Sequence, residues 1–251
     1  MTCPLLYRFR AIDRLPEPPS PAAVRGTLVH AVLENLFDRP AQDRTYETAR
    51  ALLPSAWRAM VAEDPGIAAV VDGDEAEFLR SAEPLLVGYF QLEDPRRLNP
   101  AEREFEVTTE LTGGLTLRGF IDRLDIAADG AIRVVDYKTG RVPGQGFENK
   151  ALFQMRVYAL LIWRTRGVVP RLLQLMYLGT PEVLRYEPDV ADLLATENTL
   201  LALRDAINLA EETGDFRPKT SRLCDFCAHR AICPAWGGSP PPLPERPVAI
   251  L

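Results

Sequence analysis

Gly119-Phe120-Ile121-Asp122-Arg123-Leu124-Asp125, followed after a turn by Val134-Val135-Asp136-Tyr137-Lys138-Thr139-Gly140, decides the fold. Leu115 to Ile126 alternates apolar and polar residues, Ala127-Ala128-Asp129-Gly130 is a turn sequence, and Ile132 to Tyr137 is a second β-rich run. The stretch predicts a β-hairpin. Antiparallel pairing then carries Asp122 and Asp136 to one neighbourhood. Val134-Val135 is apolar enough for a buried central strand, and ending such a strand in two charges needs a reason.

A carboxylate with both oxygens free is a hard ligand suited to Mg²⁺ or Mn²⁺, and Lys138, two residues beyond Asp136, lies on the same face of an extended strand. Two such acids can hold a cation while the ammonium group orients or deprotonates a water and offsets charge on a phosphate. That is equipment for phosphodiester hydrolysis. The alternative is a solvated hairpin face on which Asp136 and Lys138 merely pair.

The chain of 251 residues, 47% hydrophobic, can bury one substantial core with a small accessory lobe. The first fifteen residues carry four Arg or Asp charges, and no apolar run nears the ~20 residues needed to cross a bilayer. A cytoplasmic protein without a membrane partner is expected. The net charge of −6 argues against a protein that coats nucleic acid with its whole surface. Distribution matters more: Arg118 to Arg171 holds ten Lys or Arg against five Asp or Glu, whereas Ala41 to Thr112 holds seven against fifteen. The basic excess surrounds the hairpin, which suits a phosphate-bearing substrate led into a local groove.

Outward from the hairpin, Leu5, Leu6 and Phe9 have helical spacing among arginines, and Leu15 to Pro21 is a proline-rich connector. Ala22 to Phe37 predicts an amphipathic helix bearing His30, with Gly26 allowing a close approach to a neighbour. Thr45 to Ala62 and Asp74 to Phe90 predict two more helices. Glu102 to Thr109 reads as a strand with one charged face. Beyond Lys138, Thr139 to Gly146 is a glycine-rich loop, and Glu148 to Arg166 is a long helix on which Gln154 and Tyr158 share a face. Two further strands, Arg171 to Leu178 and Val183 to Tyr186, precede a helix from Asp189 to Thr213. Strand, strand, strand, helix, strand gives a mixed sheet flanked by helices.

Gly-x-x-Asp-Arg-x-Asp followed by Val-Asp-Tyr-Lys-Thr-Gly resembles the core of the PD-(D/E)XK nucleases, in the branch that contains the RecB nuclease domain. Ile121 stands where a proline usually precedes the first acid, as is common in that branch. The resemblance implies an α/β, restriction-endonuclease-like core with a helical insertion. Residues 1–236 would form one nuclease domain: 22–100 mostly helical, 101–187 the catalytic sheet with helix 148–166, and 188–236 a helix and cysteine cluster. Residues 237–251 would be a proline-rich tail.

Gly26 to Glu34 is similar to the family's Gly-x-x-x-His segment, which makes His30 an expected metal ligand, although a lone helical histidine is more often structural. Glu104 is a further candidate ligand, from relatives that place a glutamate near the metals. The resemblance implies Mg²⁺ or Mn²⁺ bound by His30, Asp122, Asp136 and the Tyr137 carbonyl, with Lys138 activating water and Gln154 and Tyr158 supporting it. Arg123, Arg141, Lys150, Arg156 and Arg222 are the expected DNA contacts.

Cys224, Cys227 and Cys233 form C-x₂-C-x₅-C, and the fourth cysteine is Cys3. Disulfides are not expected in a cytoplasmic chain, and the clustering points to a metal centre, either tetrahedral zinc or an iron-sulfur cluster. One cysteine at the start and three near the end are similar to the [4Fe-4S] staple of AddB-type nucleases, which implies a cluster joining the two ends of the chain. The implied substrate is DNA, single-stranded or with a free end, in repair or recombination. A non-catalytic module gripping DNA ends for a separate helicase is the alternative, since no G-x-x-x-x-G-K-[ST] loop occurs here. A zinc-stapled scaffold with no active site is a third reading.

Overall fold

Five strands form one sheet: β1 Glu102–Leu111, β2 Leu115–Ile126, β3 Ile132–Lys138, β4 Leu172–Tyr177 and β5 Glu182–Tyr186. This computed structural model describes residues 3–71, 73–142 and 148–244, with 148–150 described in backbone only. The expected loop at 143–146 and the end of the tail therefore lie outside the described residues. The strand order is β1-β2-β3-β4-β5, antiparallel except for the parallel pair β3–β4. The sheet is mixed and flanked by helices.

The helices are α1 Pro4–Tyr7, α2 Pro21–Leu36, α3 Tyr46–Glu63, α4 Glu75–Arg80, α5 Glu83–Leu92, α6 Glu148–Arg166 and α7 Val190–Thr213. A parallel pair cannot close through a hairpin, and α6 supplies the crossover between β3 and β4. Local chemistry sets several ends. Pro21 opens α2 after the extended Ser20, the Thr45 hydroxyl accepts from Thr48 N–H at the start of α3, and Asp189 Oδ1 accepts from Asp192 N–H at 2.8 Å at the start of α7. The single helix expected over Asp74 to Phe90 is instead α4 and α5. The break falls at Ser81-Ala82, just before Pro84, which has no N–H to continue a helix.

The contacts divide the chain into two units, Pro19–Leu201 and a smaller one made of Met1–Pro18 with Ala202–Leu251. In the larger unit, Val135, Tyr137, Met176 and Leu178 on one face of the sheet pack with α2, α3 and α5. Val134, Leu173, Leu175 and Tyr177 on the other face pack with Met155, Ala159 and Ile162 of α6. Period-two burial on β3 and β4 thus feeds two cores and leaves Asp136 and Lys138 on the α6 side.

The alternation expected along β2 fails at one place. Ile121 and Leu124 both belong to the α6-side core, whereas Arg123 packs against Phe37 and Tyr137 on the opposite side. Ladder pairing between β1 and β2 runs on either side of Glu104 and Asp122 but skips them, and Glu104 has φ of 41°. For a non-glycine residue this left-handed backbone is costly, and it marks a local twist that reverses the facing of both strands.

In the smaller unit, Leu5, Phe9 and Phe216 form a core. The chain continues from α1 through a wider turn at Arg8–Ile12, and short 3₁₀ turns span Arg222–Phe226, Arg230–Ile232 and Pro234–Trp236. The Phe9 ring meets the His229 ring edge-on at 5.3 Å, and His229 Nε2 lies 2.8 Å from Glu17 Oε1. No helix among the described residues is long and apolar enough to cross a membrane.

Candidate functional site

His30 comes from α2, Glu104 from β1, Asp122 from β2, and Asp136 and Lys138 from the end of β3. Among the described residues, His30, Glu104 and Asp122 form a group whose ligand atoms all lie within 4.8 Å of one another. His30 Nδ1 is 3.4 Å from Asp122 Oδ1 and 3.8 Å from Glu104 Oε1. Its Nε2 donates to the Tyr137 carbonyl at 3.0 Å, which leaves Nδ1 aimed at the acids. That carbonyl, an expected metal ligand, keeps a second lone pair.

The irregularity on β1 and β2 builds this group. Because the β2–β3 ladder stops at Arg123 opposite Val135, the Tyr137 N–H is free, and Asp122 Oδ2 takes it at 2.6 Å. One Asp122 oxygen is fixed to the backbone and the other faces His30. α2 reaches β3 through Gly26, where a Cβ would lie 3.0 Å from Thr139 Oγ1.

Asp136 is buried beside this group. Lys138 Nζ lies 2.7 Å from its Oδ2 in an ion pair. Lys138 Nζ also donates to Gln154 Oε1 at 2.9 Å, and Gln154 Nε2 donates to the Tyr158 hydroxyl at 2.7 Å. Gly119 makes room for this chain, since a Cβ there would stand 3.1 Å from the Tyr158 ring.

The electrostatics fit a divalent cation. Burial and the nearby Asp122 charge push the Asp136 carboxyl above the usual range, against the pull of Lys138. Burial pulls His30 down, but the hydrogen bonds it donates to Asp122 and Glu104 overcome it and raise the imidazole to about 10. Without a metal, a proton on His30 thus offsets part of the charge of the acids. A hard cation would replace it and offset the charge on Asp136 as well.

A cleft of about 920 Å³ opens onto the group, lined by His30, Glu34, Glu104, Lys138 and Arg141 among others. Glu34, one turn beyond His30, was not assigned a role from sequence. Burial and the Glu104 charge raise its carboxyl, and the i, i+4 spacing was the available signal.

The expected DNA contacts separate. Arg141 is exposed on the cleft, and Arg222 is exposed in the smaller unit. Arg123 is a correction: it is fully buried, ion-paired with Glu93 and bonded to the Tyr137 hydroxyl at 2.7 Å, so it cannot meet a phosphate. A buried guanidinium must be paired, and Glu93 lies thirty residues earlier without a local sign of this role. Arg156 is half-buried. It stacks on Tyr186 at 4.8 Å, while Gln154 and Tyr158 occupy the site face of α6. The Lys150 side chain lies outside the described residues.

Cys3, Cys224, Cys227 and Cys233 line one cavity of about 270 Å³ within the smaller unit, and all four are free thiols. Backbone N–H groups point at two of the sulfurs, Lys219 N at Cys3 Sγ (3.3 Å) and Ser221 N at Cys224 Sγ (3.4 Å). Such donors commonly surround metal-bound sulfur.

The sequence profile of the PD-(D/E)XK nuclease superfamily matches residues 1–234. The "Gene 69 protein" of Mycobacterium phage D29 is 28% identical over 193 residues, 66% of each chain. The protein of the same name from Mycobacterium phage L5 is 30% identical over 127 residues, 49% of this chain and 41% of that one. The chain therefore spans 66% and 41% of the length of these relatives. A crystal structure titled "Putative exonuclease" from Eubacterium rectale is similar in fold, with TM-score 0.54 and 15% identity over 91% of this chain and 81% of that one. With this profile match over nearly its whole length, the chain belongs to the PD-(D/E)XK nuclease superfamily.

Proposed function

We propose that this nuclease is a Mg²⁺- or Mn²⁺-dependent deoxyribonuclease of the RecB-like branch, acting on single-stranded DNA or DNA ends in repair or recombination. The observation that carries the reading is the convergence of His30, Glu104 and Asp122 beside the Asp136–Lys138–Gln154–Tyr158 chain. His30, Asp122 and Asp136, with Glu104 and the Tyr137 carbonyl, would hold the metal. When bound, it supplies Lewis-acid stabilisation of phosphate charge and a more acidic water.

The protein's own groups do the rest. Asp136 and Gln154 hold the Lys138 ammonium from two sides, so it is aimed before substrate arrives and can orient the attacking water. Burial raises the Tyr158 hydroxyl to about 12, so it stays neutral and anchors Gln154. Arg141 at the cleft offers a cation to the strand.

The second metal centre of the reading is a [4Fe-4S] cluster on Cys3, Cys224, Cys227 and Cys233, with residues 1–236 read as one nuclease domain and 237–251 as its tail. No three of these sulfurs all lie within 4.8 Å among the described residues. Purification without oxygen should give a brown, iron-containing protein; a colourless one holding zinc would overturn this part.

End-labelled single strands should be shortened only when Mg²⁺ or Mn²⁺ is added. Asp136→Ala and Lys138→Ala should each abolish cleavage and leave DNA affinity largely intact. Undiminished cleavage by both variants would refute the assignment.

A further inference from the structure

The smaller unit carries an exposed aromatic face that the nuclease site does not use. Phe226, between Cys224 and Cys227, is 87% exposed, Leu223 is 58% exposed and Trp236 is 47% exposed. All three line the same cavity as the cysteines, so they are neighbours. Single exposed apolar residues are ordinary, but three large ones around one cavity form a patch that water solvates poorly. The Arg230 guanidinium lies flat enough over Trp236 to stand 3.9 Å from its ring centre, and it also pairs with Asp225 at 2.9 Å.

Charge selects the occupant. From Phe216 to Trp236 the chain has Arg217, Lys219, Arg222 and Arg230 against a single acid, Asp225, in a protein whose net charge is −6. Lys219 and Arg222 have no ion-pair partner among the described residues. Lys219 lines the same cavity and Arg222 adjoins Leu223 in the chain, and flat rings with such cations close by match a strand whose bases are unstacked and whose phosphates run alongside. An apolar protein partner would gain nothing from the cations, and duplex DNA would leave the rings in water.

We propose that Phe226, Trp236 and Leu223, with Lys219 and Arg222 close by, form a base-stacking platform for single-stranded nucleic acid. The proposal rests on the nucleic-acid reading above, although not on cleavage. Phe226 takes a base on its ring, Trp236 takes one on the face that Arg230 leaves uncovered, and Lys219 and Arg222 meet the phosphates. Because the rings read no base edges, binding is tolerant of sequence.

The test is binding of a fluorescent oligo(dT) strand to the intact protein with divalent ions withheld, beside a strand of equal length made of abasic residues. Phe226→Ala and Trp236→Ala should each weaken oligo(dT) binding about 5- to 100-fold and hardly change binding of the abasic strand. Arg222→Ala should weaken both strands and lower the salt dependence by about one counterion. Equal melting temperature and metal content in all variants guard against misfolding, and Phe226→Leu, which keeps apolar area without a ring, should still lose affinity. Wild-type affinity in Phe226→Ala, or equal losses on both strands, would overturn the platform. So would a dimer that Phe226→Ala dissociates, since the face would then belong to a second copy. Absence of cleavage would count against the nuclease site and not against this binding result.

Discussion

Glu104 and Asp122 stand opposite each other across the β1–β2 ladder at the place where its pairing is interrupted. Both carboxylates turn toward His30, at 3.8 and 3.4 Å from Nδ1. The φ of 41° at Glu104 is the local cost of that arrangement, borne by β1 at the edge of the sheet.

The backbone cost can be separated from the carboxylate. Glu104→Gly and Glu104→Ala both remove the acid, but only glycine tolerates the positive φ without strain. Glu104→Gly should be about 1 kcal/mol more stable than Glu104→Ala in urea unfolding, the reverse of the usual order in a strand. Both variants should bind Mn²⁺ at least tenfold more weakly by calorimetry. If alanine proves the more stable, the strain is not there.

Protons and metal compete for the same group. The folded-state pKa of His30 is raised to about 10 from 6.5, so its stabilising contribution is present below pH 6.5 and is lost as pH rises through 10. Metal-free protein should therefore melt at a lower temperature at pH 9 than at pH 6.5, and added Mn²⁺ should restore more stability at the higher pH. Binding of Mn²⁺ should release protons and weaken as pH falls. A metal-induced rise in melting temperature that is the same at both pH values would contradict this.

Arg123 and Arg141 should behave as different kinds of residue. Arg123→Met leaves Glu93 without its buried partner and should cost about 3–5 kcal/mol in denaturant unfolding. Arg141→Ala, exposed on the cleft, should leave stability unchanged and reduce the salt dependence of DNA binding by about one counterion. Equal effects of the two substitutions on DNA binding, with no loss of stability for Arg123→Met, would reverse the assignment.

Gly119→Ala places a methyl 2.9 Å from Leu161 and 3.1 Å from the Tyr158 ring. The Gln154–Tyr158 pair should shift, and kcat for any cleavage should fall more than DNA affinity. An unchanged kcat would mean that the pair does not aim Lys138.

The hairpin, the long α6 and the mixed sheet could be read from the chain because their signals are local: alternation, a turn sequence, and helical spacing. Spacing of i, i+2 and i, i+4 put Asp136 with Lys138 and Gln154 with Tyr158 on shared faces, but only the family resemblance joined the two pairs into one set. The break between α4 and α5 was also written locally, in Pro84, though the longer periodicity hid it.

What the tertiary structure alone decided is which charges are buried and what they face. Arg123 sits in a motif that suggests a DNA contact, yet Glu93, Tyr137 and Phe37 enclose it from distant parts of the chain. The reversal at Glu104 and Asp122 is equally non-local, because it takes two strands twisting together to free the Tyr137 N–H for Asp122. Spacing along a chain specifies the side of an element a residue occupies; only packing determines whether that side meets water, a partner charge or a cation.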